Sequence, residues 1–256
     1  MSKKRRLVIA NWKMYIKSPD RAKEFARGLR RRSRQFSGVS VAVAPPFTLI
    51  PPVAAVLKGS AISLGAQSLS PFGDEKHTGE ISAPMLKHAG VLYCLVGHSE
   101  RRALGESDDI IRIQLHRAAA EGLMPVLCIG EKERDASGSH FTTIERQLTS
   151  ALGERTAKNT LKRLVVAYEP VWAIGKSAGD AMKPGELQET VIFIRKILAD
   201  LLGRPAALRT AVLYGGSVEE ENADILLSEG GVSGFLVGHA STDLDSFLPI
   251  LKACSR

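Results

Sequence analysis

The sequence predicts an α/β protein, a (β/α)8 barrel built as one domain over residues 1–256. Three observations carry that expectation. Short β-branched runs recur eight times, each but the last followed by a helical segment and another strand; eight such units in about 250 residues fit this barrel. The runs are continuously apolar, as parallel strands buried on both faces are. No Pro/Gly/Ser-rich linker divides the chain.

The strands fall near 7–12, 39–44, 62–66, 92–97, 125–129, 164–168, 211–214 and 235–238, with a closing helix near 244–253. The first strand ends in Asn11-Trp12-Lys13 rather than the glycine-rich fingerprint of an open doubly wound sheet. In the first helix Arg27, Arg30, Arg31 and Arg34 form one stripe, with Phe25, Leu29 and Phe36 on another side. That reads as a solvated basic face over a buried apolar one. Ser107 before Asp108 and Asp109 suits a helix N-cap with an acidic first turn. Pro184 suits a helix start, with Leu187, Val191, Ile194, Leu198 and Leu201 on one face and Gly203 as the stop. The longest stretch without periodicity is 67–81, and loops of that length in compact domains are usually functional.

Composition narrows the function. Hydrophobic residues make up 44 % of the 256, and no apolar run approaches the length of a membrane span. The basic start (Lys3, Lys4, Arg5, Arg6) precedes an apolar run of only residues 7–10, too short for a secretory signal. Cys94 and Cys128 lie in strand-like runs, which suits reduced thiols in the cytoplasm. With Cys254 they form no CxxC, and the six histidines show no metal-ligand spacing. The net charge of +8 can steer anions. The arginine stripe lacks the aromatic or groove-reading partners that nucleic-acid binding requires, so no nucleic-acid partner is expected.

In such a barrel chemistry collects at the C-terminal ends of the strands. Those ends offer Asn11 and Lys13, then His98, Ser99 and Glu100, then Glu169, then Gly215, Gly216 and Ser217, and finally Gly238 and His239. Singly each has a plainer reading. Lys13 can be a surface lysine, His98 a hydrogen-bonded core imidazole and Glu169 an ion-pair partner. Gly215-Gly216 can be a tight turn or a place where backbone N–H groups approach an anion. Pro170 holds Glu169 extended. On one rim, together, they describe a pocket for a small phosphorylated substrate.

These residues fall in blocks that resemble the triosephosphate isomerase family: Asn11-Trp12-Lys13-Met14, Gly97-His98-Ser99-Glu100-Arg101-Arg102, Ala167-Tyr168-Glu169-Pro170-Val171-Trp172-Ala173-Ile174-Gly175 and Tyr214-Gly215-Gly216-Ser217-Val218. Ala44-Pro45-Pro46-Phe47, Gly65-Ala66-Gln67, Thr78-Gly79-Glu80 and Cys128-Ile129-Gly130-Glu131 are similar too. The resemblance implies a TIM barrel that interconverts glyceraldehyde 3-phosphate and dihydroxyacetone phosphate. It casts Glu169 as the general base, His98 as the neutral electrophile, Lys13 as the stabilising cation, Asn11 as a positioning residue and Glu100 as a carboxylate near the lysine. It gives the phosphate to backbone N–H groups of Gly175, Ser217, Gly238 and residue 239. It makes Pro170-Val171-Trp172 the first hinge of a lid and Ala173-Ile174-Gly175 its tip. It requires no metal or organic cofactor, and it implies a cytoplasmic homodimer formed through the 67–81 loop, with Thr78.

The sequence departs from the family at several places. Lys176-Ser177 stands where the family usually has Thr-Gly, followed by a reshaped second hinge, Ala178-Gly179-Asp180, that is longer before Pro184. Gly238-His239 stands where Gly-Gly is usual, and Ser233 where an acidic residue is usual. A positive φ at residue 239 would be costly for histidine. Its imidazole could reach the phosphate or crowd the pocket. These changes fit lineage drift, or a related isomerase of a four-carbon sugar phosphate (a tetrulose phosphate). A phosphate-binding barrel without catalysis is a third reading, opposed by the presence of Lys13, His98 and Glu169 together.

Overall fold

A computed structural model describes residues 5–73, 76–135, 137–153, 161–175 and 181–255. Eight parallel strands close into a barrel in chain order. They are β1 (Arg6–Asn11), β2 (Val39–Ala44), β3 (Ser63–Ala66), β4 (Val91–Val96), β5 (Met124–Ile129), β6 (Val165–Tyr168), β7 (Ala211–Tyr214) and β8 (Gly234–Val237), each end within one residue of expectation. Around them, among the described residues, run α1 (Pro19–Arg32), α2 (Ile50–Leu57), α3 (Ala83–His88), α4 (Ser99–Ala103), α5 (Asp108–Ala120), α6 (Ser139–Leu152), α7 (Pro184–Leu202), α8 (Arg204–Arg209), α9 (Glu220–Glu229) and α10 (Leu244–Cys254).

Strand alternation explains the continuous apolar runs. Leu7, Ile9, Ala42, Ala44, Leu95 and Val126 fill the barrel interior. Their neighbours Val8, Ala10, Val41, Val43 and Val96 face the helices. Both faces are therefore buried, and every strand residue must be apolar or paired. The ring closes where Leu7, Val8, Ile9 and Ala10 of β1 register with Gly234, Phe235, Leu236 and Val237 of β8. Trp12 is fully buried just beyond β1, edge-on to Phe25 of α1 with centroids 5.2 Å apart.

The helix signals act as expected. Ser18 and Ser107 cap α1 and α5 by accepting from Arg21 N and Ile110 N. On α7 Pro184 opens the first turn, Leu187, Val191, Ile194 and Leu198 are buried, and Gly203 ends the helix at φ 88°. One detail differs. Arg34 falls outside α1, in a 3-10 turn over Ser33–Gln35, because the Ser33 hydroxyl donates to Arg30 O and diverts the last turn. Arg27, Arg30 and Arg31 are exposed on α1, opposite the buried Phe25 and Leu29. No described helix is long and apolar enough to cross a membrane. The described part of the 67–81 loop contains neither helix nor strand.

Candidate active site

Parallel strands aim all eight of their C-terminal ends at one face, so residues far apart in sequence share one mouth. A cavity of about 680 Å3 opens there. Asn11, Lys13, His98, Glu169, Gly175, Ser217, Gly238 and His239 all line it.

Lys13 follows β1 in a turn where its φ is 44°, the only positive φ of any described residue other than glycine. Such backbone strain in a residue with a side chain persists only when neighbours enforce it. Here Lys13 N donates to Asn11 Oδ1 at 3.1 Å, and Gln67 Nε2 donates both to Lys13 O at 3.0 Å and to Ala44 O at 2.9 Å. The Lys13 ammonium meets Glu100 Oε1 at 2.8 Å. Burial pulls the Glu100 carboxyl up, but the hydrogen bond and positive charge of Lys13, with the nearby His98 ring acting in the same direction, outweigh it, and the net shift is downward. Glu100 therefore stays ionised behind Lys13 without itself lining the cavity.

His98 sits at the end of β4 and caps α4. Its Nδ1 accepts from Glu100 N at 3.2 Å. A nitrogen that accepts a backbone N–H carries a lone pair, so the neutral ring bears its proton on Nε2. Nε2 faces Glu169 Oε1 at 3.4 Å.

Glu169 follows β6 and is 2 % exposed. Its backbone N donates to Ile129 O at 2.7 Å, and its Oε2 accepts from Ser99 N at 3.2 Å. Burial pushes the Cys128 thiol on β5 well up, and the Glu169 carboxylate beside it pushes the same way. The Glu169 carboxylate thus rests against a neutral thiol rather than a competing anion.

The two glycine questions resolve differently from a simple turn. A Cβ on Gly215 would lie 2.8 Å from Glu169 Cγ, and one on Gly216 would overlap the Tyr214 hydroxyl. Neither glycine has a positive φ. Their bareness serves close approach, Gly215 leaving room for the Glu169 side chain. Beyond them Asn222 Nδ2 donates to Ser217 O at 3.1 Å and fixes the loop before α9. At the last strand end Gly238 has φ −88°, and His239 lies outside the left-handed region, at the start of a 3-10 turn over His239–Thr242. The backbone cost anticipated for a histidine there does not arise.

The segment after β6 is anchored to Glu131, a buried residue to which the sequence assigned no role. Glu131 Oε1 accepts from Tyr168 Oη and Trp172 Nε1, each at 2.9 Å, while Glu131 O accepts from Val171 N at 2.9 Å. The Ser217 hydroxyl donates to Ala173 O at 2.9 Å, tying the segment after β6 to the β7 loop. Gly175 has φ 71°. Lys176, Ser177, Ala178, Gly179 and Asp180 lie outside the described residues. Among the described residues no group of three or more His, Cys, Asp and Glu side chains is placed to hold a metal ion.

The arrangement can move a proton. It sets the Glu169 carboxylate 3.4 Å from the His98 Nε2–H donor, in a cavity that Lys13 also lines. Known proteins agree with that chemistry. A family model described as triosephosphate isomerase matches residues 6–254. The chain is 40 % identical over 252 residues to a triosephosphate isomerase of Symbiobacterium thermophilum, covering 98 % of this chain and 97 % of that one. It is 42 % identical over 247 residues to one from Carboxydothermus hydrogenoformans, covering 96 % and 97 %. It is 40 % identical over 252 residues to one from Fusobacterium nucleatum, covering 97 % and 99 %.

Proposed function

The chain belongs to the triosephosphate isomerase family and is an isomerase of triose phosphate, and from that premise we propose how its residues perform the reaction. The observation that carries the reading is the facing pair, Glu169 Oε1 and His98 Nε2, at the floor of a cavity that Lys13 also lines.

The substrates are D-glyceraldehyde 3-phosphate and dihydroxyacetone phosphate. The Glu169 carboxylate removes a proton from the carbon next to the carbonyl. The C–H electron pair becomes the carbon–carbon double bond, and negative charge moves to the carbonyl oxygen. His98 Nε2–H hydrogen-bonds that oxygen and shuttles its proton between the two oxygens of the enediolate. Lys13 stabilises the same charge electrostatically, and Asn11 and Glu100 position it. Glu169 then returns its proton to the neighbouring carbon. Atoms and charge balance without an added cofactor, and a rate unaltered by chelators is the corresponding expectation.

In the present geometry the base occupies the donors of Ser99 and His98. Substrate enters by taking the His98 donor, which releases the carboxylate toward carbon. Backbone N–H groups of Gly175, Ser217, Gly238 and His239 hold the phosphate, and the lid from Pro170 to Gly175 closes over it. Closure excludes water and keeps the intermediate from losing phosphate.

Triose turnover in a coupled assay, run beside four-carbon substrates, tests the reading. Activity only on a tetrulose phosphate replaces it with the related four-carbon isomerase. Anion binding without turnover of either replaces it with a non-catalytic barrel.

The same reading makes the whole chain one domain, cytoplasmic, and a homodimer through the 67–81 loop. Its support is apolar exposure on three adjacent loops: Met14 and Tyr15 after β1, Phe47 after β2 and Phe72 after β3. A patch of that kind commonly marks a protein interface. Sedimentation equilibrium at micromolar protein is expected to give the mass of two chains; a single-chain mass overturns the pairing.

A further inference from the structure

The turn after β8 lies directly on the lysine of the site. A Cβ added to Gly238 would stand 3.8 Å from Lys13 Cε. His239, the next residue, is exposed and lines the same cavity. Its ring is not left free. It packs edge-on against Tyr15, with centroids 5.2 Å apart and planes at 65°. Its backbone is fixed as well, since Ser241 N donates to Gly238 O at 2.9 Å and the Thr242 hydroxyl donates to His239 O at 2.8 Å. An imidazole that lines the same cavity as the Lys13 side chain is within the space an anion bound there would occupy.

We propose that the imidazole of His239, and not only its backbone N–H, binds the anionic group of the substrate, so that the grip on an anion strengthens as the ring takes up a proton. The inference rests on reading the Gly238-His239 turn as an anion site and adds a contact of this chain's own. Histidine is the side chain whose charge ordinarily changes between about pH 5 and 8. A cation there supplies attraction that a bare backbone N–H cannot, and it makes that attraction depend on pH.

The titratable groups nearby are Lys13 and Tyr15 from the turn after β1, Glu219, Glu220 and Glu221 at the start of α9, and Asp245 in α10. His98 and Glu169 form the floor. All are unchanged by a substitution at residue 239, so a comparison of two proteins isolates the one ring.

Sulfate is the probe, because it keeps both charges throughout this range and brings no titration of its own. Its dissociation constant is measured by calorimetry at pH 6 and pH 8 for the wild type and for His239→Gln. The expected result is a tightening toward pH 6 that is roughly two- to fivefold greater in the wild type, the scale of one exposed charge pair. His239→Gly is expected to behave like His239→Gln, separating charge from ring packing. Parallel pH dependence in all three proteins overturns the role of the side chain and leaves the isomerase reading standing. Sulfate that binds none of them at either pH overturns the anion site itself, and this inference with it.

Discussion

Glu169→Gln lowers kcat by on the order of 10²–10⁴-fold, the usual contribution of a positioned general base, while KM stays within a few-fold. The amide keeps the shape of the side chain but cannot take a proton from carbon. Glu169→Asp keeps the chemistry and withdraws the carboxylate by one methylene, so kcat falls and substrate binding changes little. Neither change need disturb the strand, since Glu169 is held in place by its backbone N on Ile129 O. Steady-state kinetics on both variants read the result. A variant with unchanged kcat removes Glu169 from the role of base.

Gly130→Ala is the second large effect, and it joins stability to catalysis. A Cβ at residue 130 would stand 1.9 Å from Glu169 O and 2.5 Å from Glu169 C. These are backbone atoms and cannot rotate away. Nor can Gly130 retreat, because Gln147 of α6 grips it from the other side. Gly130 N donates to Gln147 Oε1 at 2.8 Å, and Gln147 Nε2 donates to Gly130 O at 3.1 Å. The extra methyl must force the ends of β5 and β6 apart. Overpacking of this sort costs about 1–3 kcal/mol. A displacement of the base approaching 1 Å costs about 10²-fold in rate. Urea unfolding and kcat are therefore expected to fall together. Gly185→Ala, where nothing lies within 4 Å of the added Cβ, serves as the control and is expected to leave both unharmed. A Gly130→Ala protein with unchanged urea midpoint and unchanged kcat overturns the contact.

The barrel, and the gathering of Lys13, His98 and Glu169 at one cavity, were legible for the same reason. Parallel strands buried on both faces leave a continuous apolar run, and polar residues at the C-terminal ends of those runs gather around one mouth. Lys13, His98 and Glu169 each stand at such an end, and the cavity unites them. What holds them was less legible. Gln67 serves the backbone of Lys13 and Ala44, and Gln147 serves Gly130, so each looks like any loop or helix glutamine until its distant partner is known. Glu131 lies in a block that resembles the family, yet its partners Tyr168 and Trp172 lie on and beyond a different strand. The need for Gly130 and Gly215 comes from Glu169, on a different strand, and glycine alone does not reveal which neighbour demands it. The reverse held at His239, where the sequence suggested strain and the chain turns in a conformation that carries none.

Ring closure carries a consequence for how this enzyme comes into being. The seam between first and last strands is drawn by partners at opposite ends of the chain: Arg6 Nη1 donates to Val232 O across 226 residues of sequence. Lys13 belongs to one side of that seam and Gly238 and His239 to the other. A nascent chain that has not yet delivered its last strand therefore holds Glu169 and His98 but only part of the cavity lining, beside two unpaired sheet edges open to other chains. Turnover is in that sense a certificate of completed folding, issued only when the polypeptide's two ends have met.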